Sequence, residues 1–487
     1  MKRSRGLLAA SAFLTLALVA YGQTAQSALQ SAKAAADRGN AAGQLYVGES
    51  YRDGDGVPQD YKEAARYFRL AAEQGNALAQ FNLGYLFYVG QGVAQDHKEA
   101  VRWYKLAAEQ GMDLAQNNLA YAYHSGDGIE KDDKEAARWY RMAADKGNAI
   151  AQAALGDCYH NGEGVMHDLK EALRWYHLAA DQRNALAQFH IAEAYRTGEG
   201  VPVDNKEAAR WYRLSADQGY VTAQAFLGLM DAAGLGVPQD FPEAAKLFKL
   251  AADQGHVVAM FNRADCYRTG EGVPRDPKEA LRLYKILAGH DDLPAQTNVG
   301  VAYRDGDGVA RDPVEAVKWF RQAAEKGYPG AQVNLGAAYR SGTDGVAQDY
   351  KEALRWFHAA ADQSDAVGQL NLGVMYEHGE GVPQSLEEAA KWYALAADQG
   401  DSTAQLRLGD MYAAGEGVTK DAVQAWEWLE LAATANGANT ADAPAAAKAR
   451  DEVAAGMTAA HLAEARQLAA KWKAEQVAEQ PFGLFSK

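Results

Sequence analysis

Apolar and polar positions along this chain form a pattern that returns with a nearly fixed period. After Gly75, apolar residues stand four apart, which places them on one face of a helix, at Ala79, Leu83 and Phe87. A second amphipathic helix follows a short polar stretch, with apolar positions at Ala100, Trp103, Tyr104 and Ala107. Nearly the same phrase begins again at Gly111, 36 residues after Gly75. The chain is therefore predicted to be an array of helical repeats.

Eleven such units can be followed, and each predicts two helices, named helix A and helix B. The units begin at Gly39, Gly75, Gly111, Gly147, Arg183, Gly219, Gly255, Asp291, Gly327, Ser364 and Gly400. Ten have 36 residues, and the ninth has one more, within the turn Gly342–Gly345. Because one helix pair cannot bury its apolar face alone, stacked neighbours must share a core. The pattern predicts an all-α fold, an α/α superhelical solenoid of eleven repeats with terminal capping helices.

Turn and cap residues recur in the same places. Helix A ends in paired glycines, such as Gly90 and Gly92, since glycine tolerates a positive φ. Helix B begins with an aspartate and has a glutamate three residues later, as in Asp60 and Glu63, which predicts a reciprocal capping box. Eight of the ten tryptophans share one position of helix B, so we interpret them as core residues: Trp103, Trp139, Trp175, Trp211, Trp319, Trp356, Trp392 and Trp428.

Both ends of the chain depart from the repeat. Residues 23–38 are predicted to form an amino-terminal capping helix, and residues 39–435 contain the eleven repeats. Residues 436–479 are predicted to be a linker of small residues followed by two capping helices, near 445–454 and 458–475. The last residues, 480–487, are expected to be a flexible tail.

The first 22 residues have the layout of a secretory signal peptide. Three basic residues precede the uncharged apolar run Leu7–Ala20, and small residues at Ala20 and Gly22 mark a cleavage site. The run is shorter than the roughly 20 apolar residues of a membrane span, although an uncleaved anchor is the alternative. We expect cleavage near Gly22, a periplasmic or secreted mature chain, and no stable membrane span in it. The net charge of −15 opposes nucleic-acid binding.

The recurring motif A-x-A-Q-x-x-L-G-x-x-Y-x-x-G-x-G-V-x-x-D-x-x-E-A-x-x-W-Y-x-x-A-A resembles the Sel1-like repeat, a relative of the tetratricopeptide repeat. The resemblance extends over residues 39–435. It implies a superhelix whose A helices line a concave face, and an adaptor without enzymatic activity that binds a protein or peptide on that face. The alternative is an envelope factor associated with polysaccharide, or a β-lactam-type hydrolase.

Asparagine recurs at one position of helix A although it is a poor helix former. The six residues are Asn82, Asn118, Asn262, Asn298, Asn334 and Asn371. In tetratricopeptide relatives an asparagine at this place hydrogen-bonds the backbone of an extended peptide, so the resemblance implies a partner-binding role. The alternative is a bond to the neighbouring repeat.

Arginine stands six residues after the asparagine in three consecutive repeats, at Arg268, Arg304 and Arg340. Guanidinium groups pair well with carboxylates, so this ladder predicts a partner with an acidic tail or an anionic glycan. The alternative is that these arginines lie at solvated helix ends, where cations are favourable.

Neither a metal site nor a cofactor is predicted. His124 and His160 lie one repeat apart, and we interpret them as surface variation rather than as metal ligands. Cys158 and Cys266 occupy the same place three repeats apart, too far for a disulfide, and are expected to be buried and unreactive. The sixth repeat has Asp231 in place of the usual tyrosine and an unusually apolar helix A, which indicates either a bend or an exposed binding patch.

Overall fold

The structure is a computed structural model that describes residues 26–342, 345–435 and 442–479, with the side chains of 476–479 left out. The predicted signal peptide, the tail 480–487 and most of the predicted linker lie outside these residues. In the described parts every regular element is helical. The helices are α1 (26–37), α2 (Ala41–Asp53), α3 (Tyr61–Glu73), α4 (Ala77–Val89), α5 (His97–Glu109), α6 (Asp113–Ser125), α7 (Asp133–Ala144), α8 (Ala149–Asn161), α9 (Leu169–Asp181), α10 (Ala185–Thr197), α11 (Asn205–Ala216), α12 (Val221–Ala233), α13 (Phe241–Ala252), α14 (Val257–Thr269), α15 (Pro277–Ala288), α16 (Leu293–Asp305), α17 (Pro313–Glu325), α18 (Pro329–Ser341), α19 (Tyr350–Ala361), α20 (Ala366–His378), α21 (Leu386–Asp398), α22 (Ser402–Ala414), α23 (Ala422–Ala433), α24 (Ala443–Ala454) and α25 (Ala459–Glu479).

Eleven pairs of A and B helices, from α2/α3 to α22/α23, confirm the predicted all-α solenoid. The helices belong to two compact units. The amino-terminal unit runs to Met230 and also includes Gly234–Gln239, whereas the carboxy-terminal unit contains Asp231–Ala233 and the chain from Asp240 onward.

The aspartate at the start of helix B caps the helix as predicted. The predicted reciprocal bond, from the aspartate amide to the glutamate three residues later, is wrong. The Asp60 carboxylate accepts hydrogen bonds from the backbone amides of Lys62 and Glu63. The Asp60 amide donates to the carbonyl of Tyr51 in the preceding helix A, at 2.8 Å, rather than to Glu63. Glu63 instead pairs with Arg66 at 2.9 Å. The same amide-to-carbonyl bond recurs in the other repeats, so it joins helix A to helix B.

The two glycines of each turn have different roles, as repeat four shows. Gly162 ends helix A in the left-handed region at φ 75°, where a side chain would meet nothing closer than 3.4 Å. Gly164, at φ 71°, lies against the first turn of helix B in the preceding repeat, and a Cβ there would come within 1.9 Å of the Asp133 carbonyl oxygen. The second glycine is therefore required by contact between repeats, and not only by its own conformation.

The core consists mainly of alanines and leucines, with at least one large aromatic ring from helix B of each repeat. Phe320 is 1 % exposed and lies against helix A at Gly300, where a Cβ would come within 2.6 Å of the ring. The recurring glycine at this position of helix A thus lets an aromatic ring contact the helix backbone directly. The tryptophans at the shared position of helix B are buried or half-buried, in agreement with a structural role.

A buried glutamine in helix A links adjacent repeats. The Gln80 side chain donates to the Ala72 carbonyl at 3.1 Å and accepts from the Gln110 side-chain amide at 2.8 Å. The bond between glutamines thirty residues apart recurs from Gln74–Gln44 to Gln399–Gln369. Three interruptions break the series: lysine replaces the donor glutamine at Lys146 and Lys326, and Met260 and His290 replace both glutamines of one pair. The buried Oε1 atoms of Gln116 and Gln296 have no hydrogen-bond partner as a result.

We expect Lys146→Gln to stabilise the protein by about 1 kcal/mol, because a new side-chain amide would satisfy the buried Gln116 oxygen. Equilibrium denaturation by urea measures the change. The reverse substitution, Gln182→Lys, is the matched control: it removes the 2.8 Å bond to Gln152 and should cost about 1–3 kcal/mol. Equal denaturation curves for the wild type and Lys146→Gln would contradict this account of the glutamine series.

Capping helices are present at both ends of the described chain. Leu29 and Ala36 of α1 are buried with Val47 of the first repeat. The two helices predicted near 445–454 and 458–475 correspond to α24 and α25, and Ala465 and Ala469 are buried against the last repeat. The Glu430 carboxylate of α23 accepts from Arg450 of α24 at 2.7 Å, which adds an ion pair to this apolar contact.

The sixth repeat has no exposed apolar patch in its helix A. Leu227 and Met230 are buried, and Phe226 and Leu229 are half-buried. Asp231 is also buried, and its backbone carbonyl accepts the amide of Asp240, as the tyrosine carbonyl does in other repeats. The prediction of a binding patch in this repeat is therefore not supported.

Candidate functional site

Helices A of repeats three to five, α6, α8 and α10, enclose a groove of about 700 Å³. We call it the Asp157 groove, and its defining residues are Asn118, Tyr121, Ile150, Asp157, Leu186 and His190. Two smaller grooves measure about 360 Å³, beside Arg268 and Asn298, and about 230 Å³, beside Tyr85 and Asn118. The largest of the three thus belongs to the amino-terminal unit, whereas the predicted arginine ladder belongs to the carboxy-terminal unit.

The Asp157 groove exposes large apolar side chains that the repeat core does not need. Tyr121 is 48 % exposed, Ile150 is 61 % exposed and Leu186 is 36 % exposed. These side chains come from three successive A helices, so they form a surface that crosses repeats rather than one isolated residue. An apolar surface of this kind, next to polar groups in a groove, is typical of a binding site.

Asp157 stands at the centre of the polar part of the groove. Its Oδ1 accepts a hydrogen bond from the Tyr176 hydroxyl at 2.7 Å and lies 3.3 Å from His190 Nε2. The His190 ring stacks on Tyr176 with 4.8 Å between ring centres. Burial raises the pKa of Asp157, partly offset by His190 and Tyr176. Burial also lowers the pKa of His190, against the attraction of Asp157.

Several histidines of the amino-terminal unit pair with carboxylates of their own repeat or of a neighbouring repeat. His97 Nδ1 bonds Asp127, and His160 Nε2 lies 3.0 Å from Glu199. His124 lies 3.2 Å from Asp133 and 3.7 Å from Glu163. Burial lowers the pKa of His160, but its bonds to Asn161 and Glu199 outweigh burial and raise it. In the described residues no group of three or more His, Cys, Asp or Glu is arranged to hold a metal ion.

We expect acidification below about pH 6.5, the ordinary pKa of histidine, to weaken the amino-terminal unit through His190. Because its folded pKa is lowered, the unfolded chain binds the proton more readily, so stability is lost as the pH falls. His190→Asn should therefore lose less stability than the wild type between about pH 7.5 and about pH 5.5, measured by urea denaturation.

His160→Asn is the matched control for this pH dependence. The pKa of His160 is raised, so its contribution is present at low pH and is lost as the pH rises. Removing His160 should therefore make the acid-induced loss larger. His177, whose pKa is lowered by burial, leaves a residual loss in both variants. The same pH slope in the wild type and His190→Asn would exclude His190 as the main titrating group.

The predicted asparagines occupy several environments and do not form a uniform ladder. Asn82 is 7 % exposed, and its Oδ1 accepts from Arg52 of the preceding repeat at 3.2 Å. Asn262, Asn334 and Asn371 each donate to the carbonyl four residues earlier in their own helix. Asn118 lines the Asp157 groove and the smallest groove, and Asn298 lines the 360 Å³ groove. Asn118 is therefore the predicted residue that contributes to the Asp157 groove.

The predicted arginines are already paired with carboxylates. Arg268 bonds Asp265 at 2.7 Å, Arg304 bonds Asp305 at 2.8 Å, and Arg340 bonds Glu380 of the next repeat at 2.6 Å. Arg304 also donates to Asn334 of the following repeat at 2.7 Å, rather than to Asn298 of its own. The prediction that these arginines bind an anionic partner is weakened, since each guanidinium already pairs with a carboxylate of the protein.

The sequence patterns did not single out Asp157, His190, Tyr121, Ile150 or Leu186. A signal for two of them was present. His190 replaces the recurring asparagine of helix A, and Asp157 stands three residues after that position in its own repeat. Both thiols are free and buried, as expected, and burial raises the pKa of Cys158 to about 12 and that of Cys266 to about 11.

No helix in the described part of the chain is long and apolar enough to span a membrane. The Sel1 repeat model matches eleven times in succession, at residues 41–76, 77–112, 113–148, 149–184, 185–220, 221–256, 257–292, 293–328, 329–365, 366–401 and 402–437. These matches begin two residues after the unit boundaries inferred from the sequence, and the ninth contains the extra residue. No curated protein matches the chain.

Two solved structures of Sel1 repeat proteins are similar to this chain. One is a protective antigen present in uropathogenic Escherichia coli strains that displays an SLR fold. It is 35 % identical, the alignment covers 93 % of this chain and 95 % of that one, and the TM-score is 0.75. The other is a Sel1 repeat protein from Oxalobacter formigenes, 30 % identical over 69 % of this chain and 93 % of that one, with a TM-score of 0.49. The chain belongs to the Sel1 repeat family, whose solenoids generally act as protein-interaction scaffolds.

Proposed function

We propose that this protein is an exported, non-catalytic scaffold that binds an extended segment of a partner protein along its A helices. The Asp157 groove is the main binding site in this proposal. The observation that carries the proposal is the exposure of Tyr121, Ile150 and Leu186 at one groove of about 700 Å³. Burial of such apolar side chains against a partner removes them from water and therefore favours binding.

The polar groups of the groove suit a peptide better than a wholly apolar ligand. Asn118 offers both a donor and an acceptor, which matches a peptide unit. Asp157 and three histidines lie among the apolar side chains, so polar contacts can orient the peptide and add specificity to the hydrophobic contact. A second predicted binding surface remains in the carboxy-terminal unit. It consists of the paired Arg268, Arg304 and Arg340 and the recurring asparagines of that unit.

The partner-binding proposal is tested by crosslinked capture from intact cells, followed by mass spectrometry, with the wild type and Ile150→Glu in parallel. We expect Ile150→Glu to lose a partner that the wild type retains, because partner binding would have to remove the new carboxylate from water in the apolar part of the groove. Leu178→Glu is the matched control, since Leu178 is exposed on helix B at 38 %. Identical capture by the wild type and Ile150→Glu would refute the proposal.

Export rests on the sequence of residues 1–22 and has its own test. We expect the mature protein to begin near Gln23, and its mass to be that of the chain without the signal peptide. Mass spectrometry of the protein from the periplasmic and medium fractions measures this directly. An uncleaved chain confined to the cytoplasm would refute export without affecting the partner-binding proposal.

A further inference from the structure

The acid of the Asp157 groove differs from the acids at the same helix position in other repeats. Five A helices carry a carboxylate there, at Glu49, Asp157, Glu193, Asp265 and Asp410. Four of the five lie beside an arginine. Arg196 and Arg268 bond Glu193 and Asp265 at 2.6 and 2.7 Å. Arg52 and Arg407 lower the pKa of Glu49 and Asp410 by their charge, against burial.

Asp157 has a histidine where the other four acids have an arginine, whereas its tyrosine contact is shared by Glu193 and Asp265. Its Oδ1 contacts the Tyr176 hydroxyl and His190 Nε2. Because burial lowers the pKa of His190, this imidazole is a poor counter-ion at neutral pH. The described lining of the groove contains Asp157, Glu163 and three histidines, and neither lysine nor arginine. The Asp157 groove thus lacks the arginine that accompanies the equivalent carboxylates of the other repeats.

We propose that Asp157 binds the side-chain cation of a lysine or arginine in the partner segment, while apolar residues beside that cation pack on Tyr121, Ile150 and Leu186. This inference rests on the proposed function and names the class of partner: an extended segment with a basic residue between apolar ones. The charge of the ligand would replace the arginine that pairs with Glu193 in the fifth repeat or with Asp265 in the seventh. It is opposite in sign to the acidic ligand predicted from the arginine ladder.

The partial burial of Asp157 beside a histidine, rather than an arginine, supports a binding role over a structural one. Partial burial of a carboxylate without a full charge partner is unfavourable, and this desolvation raises the pKa of Asp157. A charge-assisted hydrogen bond from a ligand ammonium or guanidinium would offset that cost when the partner binds. Asp157→Asn keeps an acceptor for the Tyr176 hydroxyl and removes the partly buried charge. This variant should therefore fold normally and unfold at a temperature equal to or higher than the wild type.

The test uses a fluorescein-labelled nonapeptide with a central lysine between leucines and glycine spacers, titrated with the full mature chain by fluorescence anisotropy. Two matched peptides carry norleucine or glutamate in place of the lysine. We expect the lysine peptide to bind at least about tenfold more tightly than the norleucine peptide, and the glutamate peptide to bind most weakly. Asp157→Asn should weaken the lysine peptide by about tenfold and leave the norleucine peptide unchanged. Asp265→Asn, at the arginine-paired equivalent position, should change neither.

The possible outcomes separate this inference from the proposed function. Equal affinities for the lysine and norleucine peptides, or an unchanged lysine affinity in Asp157→Asn, overturn the inference and leave the groove as a peptide site. Tighter binding of the glutamate peptide also overturns it, and favours the arginine ladder instead. Binding of none of the three peptides overturns both the inference and the Asp157 groove as the partner site.

Discussion

Gly164→Ala is expected to destabilise the protein by about 3 kcal/mol or more, which exceeds the loss expected for Gly147→Ala. Two costs add at this position. A non-glycine residue at φ 71° carries left-handed strain of about 1–2 kcal/mol. The new Cβ would also stand 1.9 Å from the Asp133 carbonyl oxygen, which forces repeats three and four apart. Urea denaturation measures the total, and amide hydrogen exchange locates it in α7 and α8.

Gly147→Ala separates the two costs because it shares the first and lacks the second. Gly147 has φ 89°, and a Cβ there would meet no atom within 4 Å. We expect this control to cost about 1–2 kcal/mol, from backbone strain alone. If both variants lost the same stability, the close approach of the second turn glycine to the preceding repeat would have no energetic consequence.

Phe320→Ala is expected to cost about 3–5 kcal/mol, because it removes a fully buried ring and leaves a cavity. The ring lies on Gly300 and packs in a cluster with Leu335, Ala338 and Trp356 of the following repeat. The loss should therefore be shared by the eighth and ninth repeats. Hydrogen exchange of α16 to α19 would show it as increased amide exchange in both.

The control for Phe320→Ala is Phe320→Leu, since the last repeat has Leu429 at the same position. Leucine keeps much of the apolar volume and fits the position, so we expect a loss of less than about 1.5 kcal/mol. A difference smaller than about 1 kcal/mol between the two variants would show that the position tolerates a cavity.

Much of this fold follows from the sequence because its signals are local and repeated. Turn glycines, helix-capping aspartates and the apolar spacing of each helix act within a few residues, and eleven copies make each signal visible. The reciprocal capping box was wrong for a reason that is not local. The Asp60 amide is satisfied by the Tyr51 carbonyl in helix A, and this bond depends on how the two helices pack. Glu63 is then available to Arg66.

The site was harder to predict because it depends on contacts between repeats. The arginine ladder is correct as a sequence pattern, but Arg340 meets Glu380 forty residues later, in the turn of another repeat. Spacing within one repeat cannot show this neutralisation. Asp157 and His190 belong to different repeats in the same way, and their pairing follows from the stacking of α8 and α10. The exposure of Ile150 likewise depends on which helix lies beside it.

The links between repeats all have short reach along the chain. Gln110 meets Gln80, Gly164 meets Asp133, and His160 meets Glu199, so each bond joins a repeat to its immediate neighbour. Excision or duplication of one 36-residue period inside a compact unit would therefore recreate the same kind of junction. Unequal recombination can lengthen or shorten such a gene without redesigning any interface. Novelty can then accumulate in a single repeat, as at Asp157, while its neighbours keep the frame intact.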